Sequence, residues 1–216
     1  MALKNRRLLP LALCGALCAP LLLTPRPARA DVTEPSSGTA YQETRTVGGK
    51  TYQFLGTGLR KKFVIKVYAI GLYVEQAGAK AAYASGAGAG PQSFVINGSF
   101  GKLAALRFLR DVDKGKIQEA YRDSLEGALS DKAPSELSRD ANAFVALFDK
   151  DVREGQELRI ATDEAGKITV EIAGQKKEGP QNPQLARAIW EIWLGQKSIL
   201  GGGRKGLVDR IDTLGR

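Results

Sequence analysis

The 216-residue chain has no histidine, one methionine and two cysteines. Each shortage removes a class of chemistry. Without histidine there is no Ser-His-Asp triad. The cysteines, Cys14 and Cys18, both fall in the first thirty residues, and each follows a leucine where a lipid-attachment site wants a small residue. Beyond that segment there is no disulfide, no thiol nucleophile and no zinc site of the usual Cys/His type. Strong net charge is lacking too. Five of the 32 basic residues and none of the 23 acidic ones lie in positions 1–30, so the remainder carries +4 rather than the whole chain's +9. A value that low makes no case for nucleic acid as a partner.

The first thirty residues read as a targeting segment. Lys4, Arg6 and Arg7 form a positive start, residues 8–23 are apolar, and Ala28-Arg29-Ala30 has the small-x-small pattern of a cleavage site. Pro10 and Pro20 interrupt the apolar run, which argues for a Sec-type signal peptide cleaved after Ala30 rather than a membrane anchor. The expected location is periplasmic or secreted, with no stable membrane span after removal. Residues 31–48 are polar and read as a flexible tail. Residues 49–216 have the length of one domain with its own core.

Within that domain, residues 63–75 are β-branched and aromatic and read as a strand apolar on both faces. Alternation puts Lys66 and Tyr68 on one face, and Arg60 joins them if the strand continues back without a bulge. Cations and a hydroxyl facing an apolar region suit a ligand. Gly56-Thr57-Gly58 permits a tight turn or a close backbone approach. A short helix is expected from residue 77, then a glycine-rich loop to Pro91, then a strand over 93–99. Leu103 to Leu109 looks helical, and Ile117, Tyr121, Leu125 and Ala128 recur at helical spacing behind a capping Asp113. Another helix is expected over 135–148. Residues 158–162 and 168–172 alternate around a turn and form a hairpin, with Lys176-Lys177 as its solvated flank. Asn182-Pro183 starts a helix carrying Leu185, Ala188, Ile189, Ile192 and Trp193, and a short helix follows Gly201-Gly202-Gly203. The order predicts α+β: an antiparallel-rich sheet with helices on one face.

Gly56-Thr57-Gly58-Leu59-Arg60 followed by Lys66-Val67-Tyr68-Ala69-Ile70-Gly71-Leu72-Tyr73 resembles the signature of the chalcone isomerase-like family. Leu185-Ala186-Arg187-Ala188-Ile189-Trp190-Glu191-Ile192-Trp193-Leu194-Gly195 is similar to that family's helix beside the ligand cleft. The resemblance implies an open-faced β-sandwich, a large antiparallel sheet under a helical layer with a cleft between them. Of the five polar positions the isomerases use, it retains only the arginine, as Arg60. The strand threonine is Tyr68, and the remaining positions fall near Asp113, Ala120 and Ile192. The fatty-acid-binding branch is closer, pairing the arginine with a tyrosine at the Tyr68 position.

What this implies is an exported, non-catalytic protein that binds a small amphipathic carboxylate such as a fatty acid. Arg60 and Tyr68 would hold the headgroup, Ile192 and Trp193 would line the cleft, and no metal or cofactor is called for. Bland alternatives stand beside each residue. Arg60 pairs with a carboxylate such as Glu75 or Asp113; Tyr68 is a core tyrosine; Lys66 snorkels to solvent; Trp190 and Trp193 are core. The function alternatives are an intramolecular lyase with a rebuilt site and a periplasmic interaction module with a structural Arg60. Oligomeric state is not legible.

Overall fold

A computed structural model describes residues 31–86 and 90–216. The targeting segment 1–30 and part of the glycine-rich loop therefore lie outside the described residues.

The β-rich start of the domain becomes two long antiparallel strands. They are β4 (Lys50–Lys62) and β5 (Ile65–Glu75), joined by a tight reversal at Phe63 and Val64. This corrects the reading of 63–75 as one strand that Arg60 continues. Gly56-Thr57-Gly58 is likewise no turn but the middle of β4, where glycine serves close approach. A Cβ at Gly56 would lie 2.0 Å from the Gly206 carbonyl oxygen, a separation no side chain survives.

Around this pair the sheet grows to seven antiparallel strands. Upstream are β1 (Val32–Thr33), β2 (Ala40–Tyr41) and β3 (Thr44–Val47). Downstream are β6 (Lys102–Phe108), β7 (Glu157–Thr162), β8 (Lys167–Ile172) and β9 (Gln175–Gln181). The spatial order is β3-β4-β5-β6-β7-β8-β9, and β1 pairs with β2 in a separate hairpin. The sheet curls, since Arg45 of β3 reaches Glu157 of β7 at 2.9 Å.

Among the described residues six α-helices fill the connections. They are α1 (Gln76–Ala84), α2 (Pro91–Asn97), α3 (Lys114–Ser124), α4 (Glu126–Leu129), α5 (Ser135–Ala146) and α6 (Pro183–Leu194). Two 3₁₀ helices close the chain at Gly201–Val208 and Ile211–Gly215. The cap expected at Asn182 is present, its side chain accepting from the Gln184 and Leu185 amides. Asp113 precedes α3 but makes no capping bond, binding Lys116 instead.

Three expected elements change type. Of the segment 93–99, residues 93–97 lie in helix α2, with Pro91 in its first turn. Leu103 to Phe108 falls in the central strand β6, buried on both faces, and Leu109 follows its end. Lys176-Lys177 is no flank but part of β9, the charged edge of the sheet.

The α+β open-faced sandwich is what the chain forms. One sheet face, carrying Tyr68, Ile70, Leu72, Ala104, Leu106, Leu158, Ile160 and Val170, packs under the helices in the main core. The other face, with Phe54, Ala69, Tyr73, Leu103 and Ala105, is covered in part by Tyr41 of the N-terminal hairpin. Tyr41 seats its ring where a Cβ at Gly71 would be, 2.5 Å away. Residues 31–48, read as a polar tail, thus contain two hairpin strands and the first strand of the sheet. Among the described residues no helix is long and apolar enough to cross a membrane.

Candidate functional site

Arg60 and Tyr68 sit directly opposite each other on adjacent strands, Arg60 on β4 and Tyr68 on β5. The antiparallel pairing gives them one face, the face beneath the helices, so they meet by cross-strand register rather than by alternation along one strand. A register irregularity follows at once between Arg60 and Lys61. Lys66, expected on their face, sends its ammonium to the Ser36 carbonyl at 2.5 Å in the N-terminal hairpin.

Arg60 is half-buried and is held by carbonyls. Its Nη1 donates to the oxygens of Ile199 at 2.7 Å and Lys61 at 2.9 Å. Neither expected carboxylate reaches it: Glu75 caps α1 through the Ala77 and Gly78 amides, and Asp113 holds Lys116. Among the described residues, no carboxylate pairs with Arg60. The guanidinium therefore has no described counter-ion beside an apolar layer, where an unpaired cation is costly.

Tyr68 is buried, and its hydroxyl oxygen accepts from Trp193 Nε1 at 3.1 Å. That bond uses a lone pair and leaves the phenolic proton free to donate. Burial pushes the phenol up to about 12, partly offset by the Trp193 bond and the Arg60 charge. Tyr68 is thus a neutral donor across the physiological range. Around it stand Phe108, ring centroid 5.6 Å away, and Tyr121, whose ring lies 6.5 Å from Trp193 and stacks on Phe148 at 4.4 Å. Burial also holds the Tyr121 phenol well above its ordinary value, with Tyr68 as a second cause.

Arg60, Tyr68 and Trp193 are therefore brought together. Ile192 is buried one residue away, and its carbonyl accepts from the Ile199 amide at 3.0 Å, tying α6 to the loop that anchors Arg60. A cleft of about 570 Å³ opens along β4, between the Glu34–Ser36 loop and the start of the first 3₁₀ helix. Thr57, Gly58, Leu59, Lys61, Ile199 and Leu200 line it, whereas Ile192 and Trp193 belong to the packed interior. On the opposite face a depression of about 280 Å³ lies among Arg107, Glu157, Arg159 and Glu171.

Sequence reasoning missed Tyr121 and the Ile199 carbonyl. Tyr121 was legible only as one apolar position on a helix, and nothing local ties it to Tyr68. A backbone acceptor carries no side-chain signal at all. The assembled group is one cation, one neutral phenol donor and an aromatic wall, which can hold an anion with an apolar body.

Comparison with known proteins agrees with this architecture. The crystal structure of a fatty-acid binding protein from Arabidopsis thaliana superimposes with a TM-score of 0.68 at 19% identity, covering 86% of this chain and 98% of that one. At that identity the likeness shows the fold. A search of curated protein sequences finds no match. The model of the family described as chalcone isomerase-like matches residues 34–208, most of the chain and both motifs. On that match, and on the fold that carries it, the chain belongs to the chalcone isomerase-like family.

Proposed function

We propose that this protein binds a small amphipathic carboxylate, such as a fatty acid, without transforming it, after export to the periplasm or cell exterior. The observation that carries the reading is Arg60 held beside Tyr68 by carbonyls alone, a cation with no described carboxylate to neutralise it. A ligand carboxylate supplies the missing charge, takes the planar donors of the guanidinium and accepts the free Tyr68 proton. The ligand's apolar body would lie in the neighbouring cleft, along Leu59, Ile199 and Leu200. The fatty-acid binding protein of the same fold supports the ligand class. The targeting segment supports the location.

Native mass spectrometry and solvent extraction of protein purified from its own host test the reading, with a long-chain carboxylate expected in the bound fraction. Replacing Arg60 by alanine should weaken fatty-acid binding about tenfold to a hundredfold, the worth of one charge-assisted contact. Retention of the wild-type ligand load by Arg60→Ala would overturn the headgroup role. N-terminal sequencing of the exported form should begin at Asp31.

A further inference from the structure

The β4–β5 reversal spends stability where the fold gains nothing. Phe63 and Val64 at its tip are 91% and 90% exposed, and Ile65 is 47% exposed; these are the large apolar side chains left in solvent among the described residues. Phe63 also has φ of +56°. That left-handed conformation suits glycine or asparagine and strains a bulky residue. Strain and exposure at one residue argue for work outside the fold.

The surroundings narrow what that work is. Arg60, Lys61, Lys62 and Lys66 flank the tip, and no acidic residue lies between Arg60 and Lys66. Lys66 donates to the neutral Ser36 carbonyl, and among the described residues no carboxylate pairs with it. We propose that this tip docks on an anionic lipid bilayer, with Phe63, Val64 and Ile65 entering the acyl boundary and the lysines meeting the phosphates. Three residues on a convex turn are far too small a surface for a stable protein partner. Lysine is also depleted in protein interfaces, yet it is the residue that tracks anionic lipid. A second copy of the chain would bring the same positive charges together. Lys61 lines the cleft along β4, so docking would set the cleft mouth at the membrane surface. The docking does not depend on what the cleft binds.

The test places an environment-sensitive fluorophore at the tip of the full chain, through Val64→Cys in a Cys14→Ser/Cys18→Ser background. The dye reads the tip alone, whatever the N-terminal apolar segment does. Vesicles of phosphatidylcholine with about one-third phosphatidylglycerol should raise and blue-shift its emission, and added salt should reverse this. Lys62→Gln should weaken the partition about fivefold. Phe63→Asn should weaken it more than about tenfold, while its melting temperature holds or rises because asparagine tolerates positive φ. An unchanged spectrum with vesicles, an equal response to pure phosphatidylcholine, or a lower melting temperature for Phe63→Asn would each overturn the proposal. A spectral shift that follows protein concentration without lipid would overturn it in favour of self-association.

Discussion

The two faces of the sheet are built on different principles. The helix-covered face is a largely apolar interior, and among the described residues its fully buried bonds between side chains are Trp193 to Tyr68 and Trp190 to Thr162. The open face combines aromatics with charge. Tyr41, Phe54 and Tyr73 pack there, and beside them Glu157 is gripped by Arg45, Arg107 and Arg159, with Glu171 on Arg159. Both solutions bury side chains, but one relies on area and shape and the other on paired charges. The contrast teaches where each face is fragile. The helix face fails when a side chain is hollowed out, and the open face when one partner of a pair is removed.

The largest effect should come from hollowing the helix face. Phe144→Ala, at a fully buried residue packed against Tyr121 and Phe148, should cost about 4 kcal/mol in denaturant titration. Next is Glu157→Gln on the open face. It leaves the half-buried Arg45 without its counter-charge and should cost on the order of 2–3 kcal/mol.

The second variant also sharpens the comparison through pH. Burial raises the Glu157 carboxyl, but the hydrogen bonds and charges of Arg45 and Arg159 together outweigh it and hold the group below its ordinary value. A lowered folded value means stability present above the unfolded pKa and lost as pH falls through the folded one. The wild type should therefore lose this contribution in acid, and Glu157→Gln should lack that part of the slope.

Lys102, at the helix-covered side, gives a slope of the same sign in a higher pH window, here because burial penalises its charge. It is buried, donates to the Gly98 carbonyl at 2.7 Å, and burial lowers it to about 8 from 10.5. Between those values the unfolded chain binds the extra proton, so stability should rise as pH increases through that window. Above 10, Tyr68 and Tyr73, both pushed up to about 12, should reverse the trend. Lys102→Met should stabilise the protein at pH 7 by on the order of 1–2 kcal/mol and flatten the rise. The smallest effect belongs to Tyr68→Phe, about 1 kcal/mol, since it removes one bond to Trp193 and leaves the packing.

What could be read beforehand follows the same division. The β7–β8 hairpin alternates because its two faces see different environments, so local pattern reports it. Leu103 to Leu109 did not alternate because β6 is buried on both faces, and a continuous apolar run rich in leucine and alanine mimics a helix. Phe94-Val95-Ile96 has strand propensity, yet Pro91 and burial by neighbouring elements make it α2. Strand β9 is polar because it is an edge, where charge discourages pairing with other chains, and that composition hides it. At the site, Arg60 and Tyr68 were legible because they come from one contiguous motif. Trp193 was named only as a wall, and its bond to Tyr68 spans 125 residues that no local pattern connects.

Gly56 and its neighbours in β4 carry a further consequence, one of timing. The residues that finish this strand come from the far end of the chain. Arg210 donates its amide to Leu55 and its guanidinium to Glu43, and Thr213 receives the Gln53 amide across 160 positions. A ribosome therefore completes β4 long before it makes the residues that seal it. Until then the flank of β4 has backbone groups and an apolar surface with nothing to cover them. The contacts that close this flank are therefore among the last whose partners are synthesised.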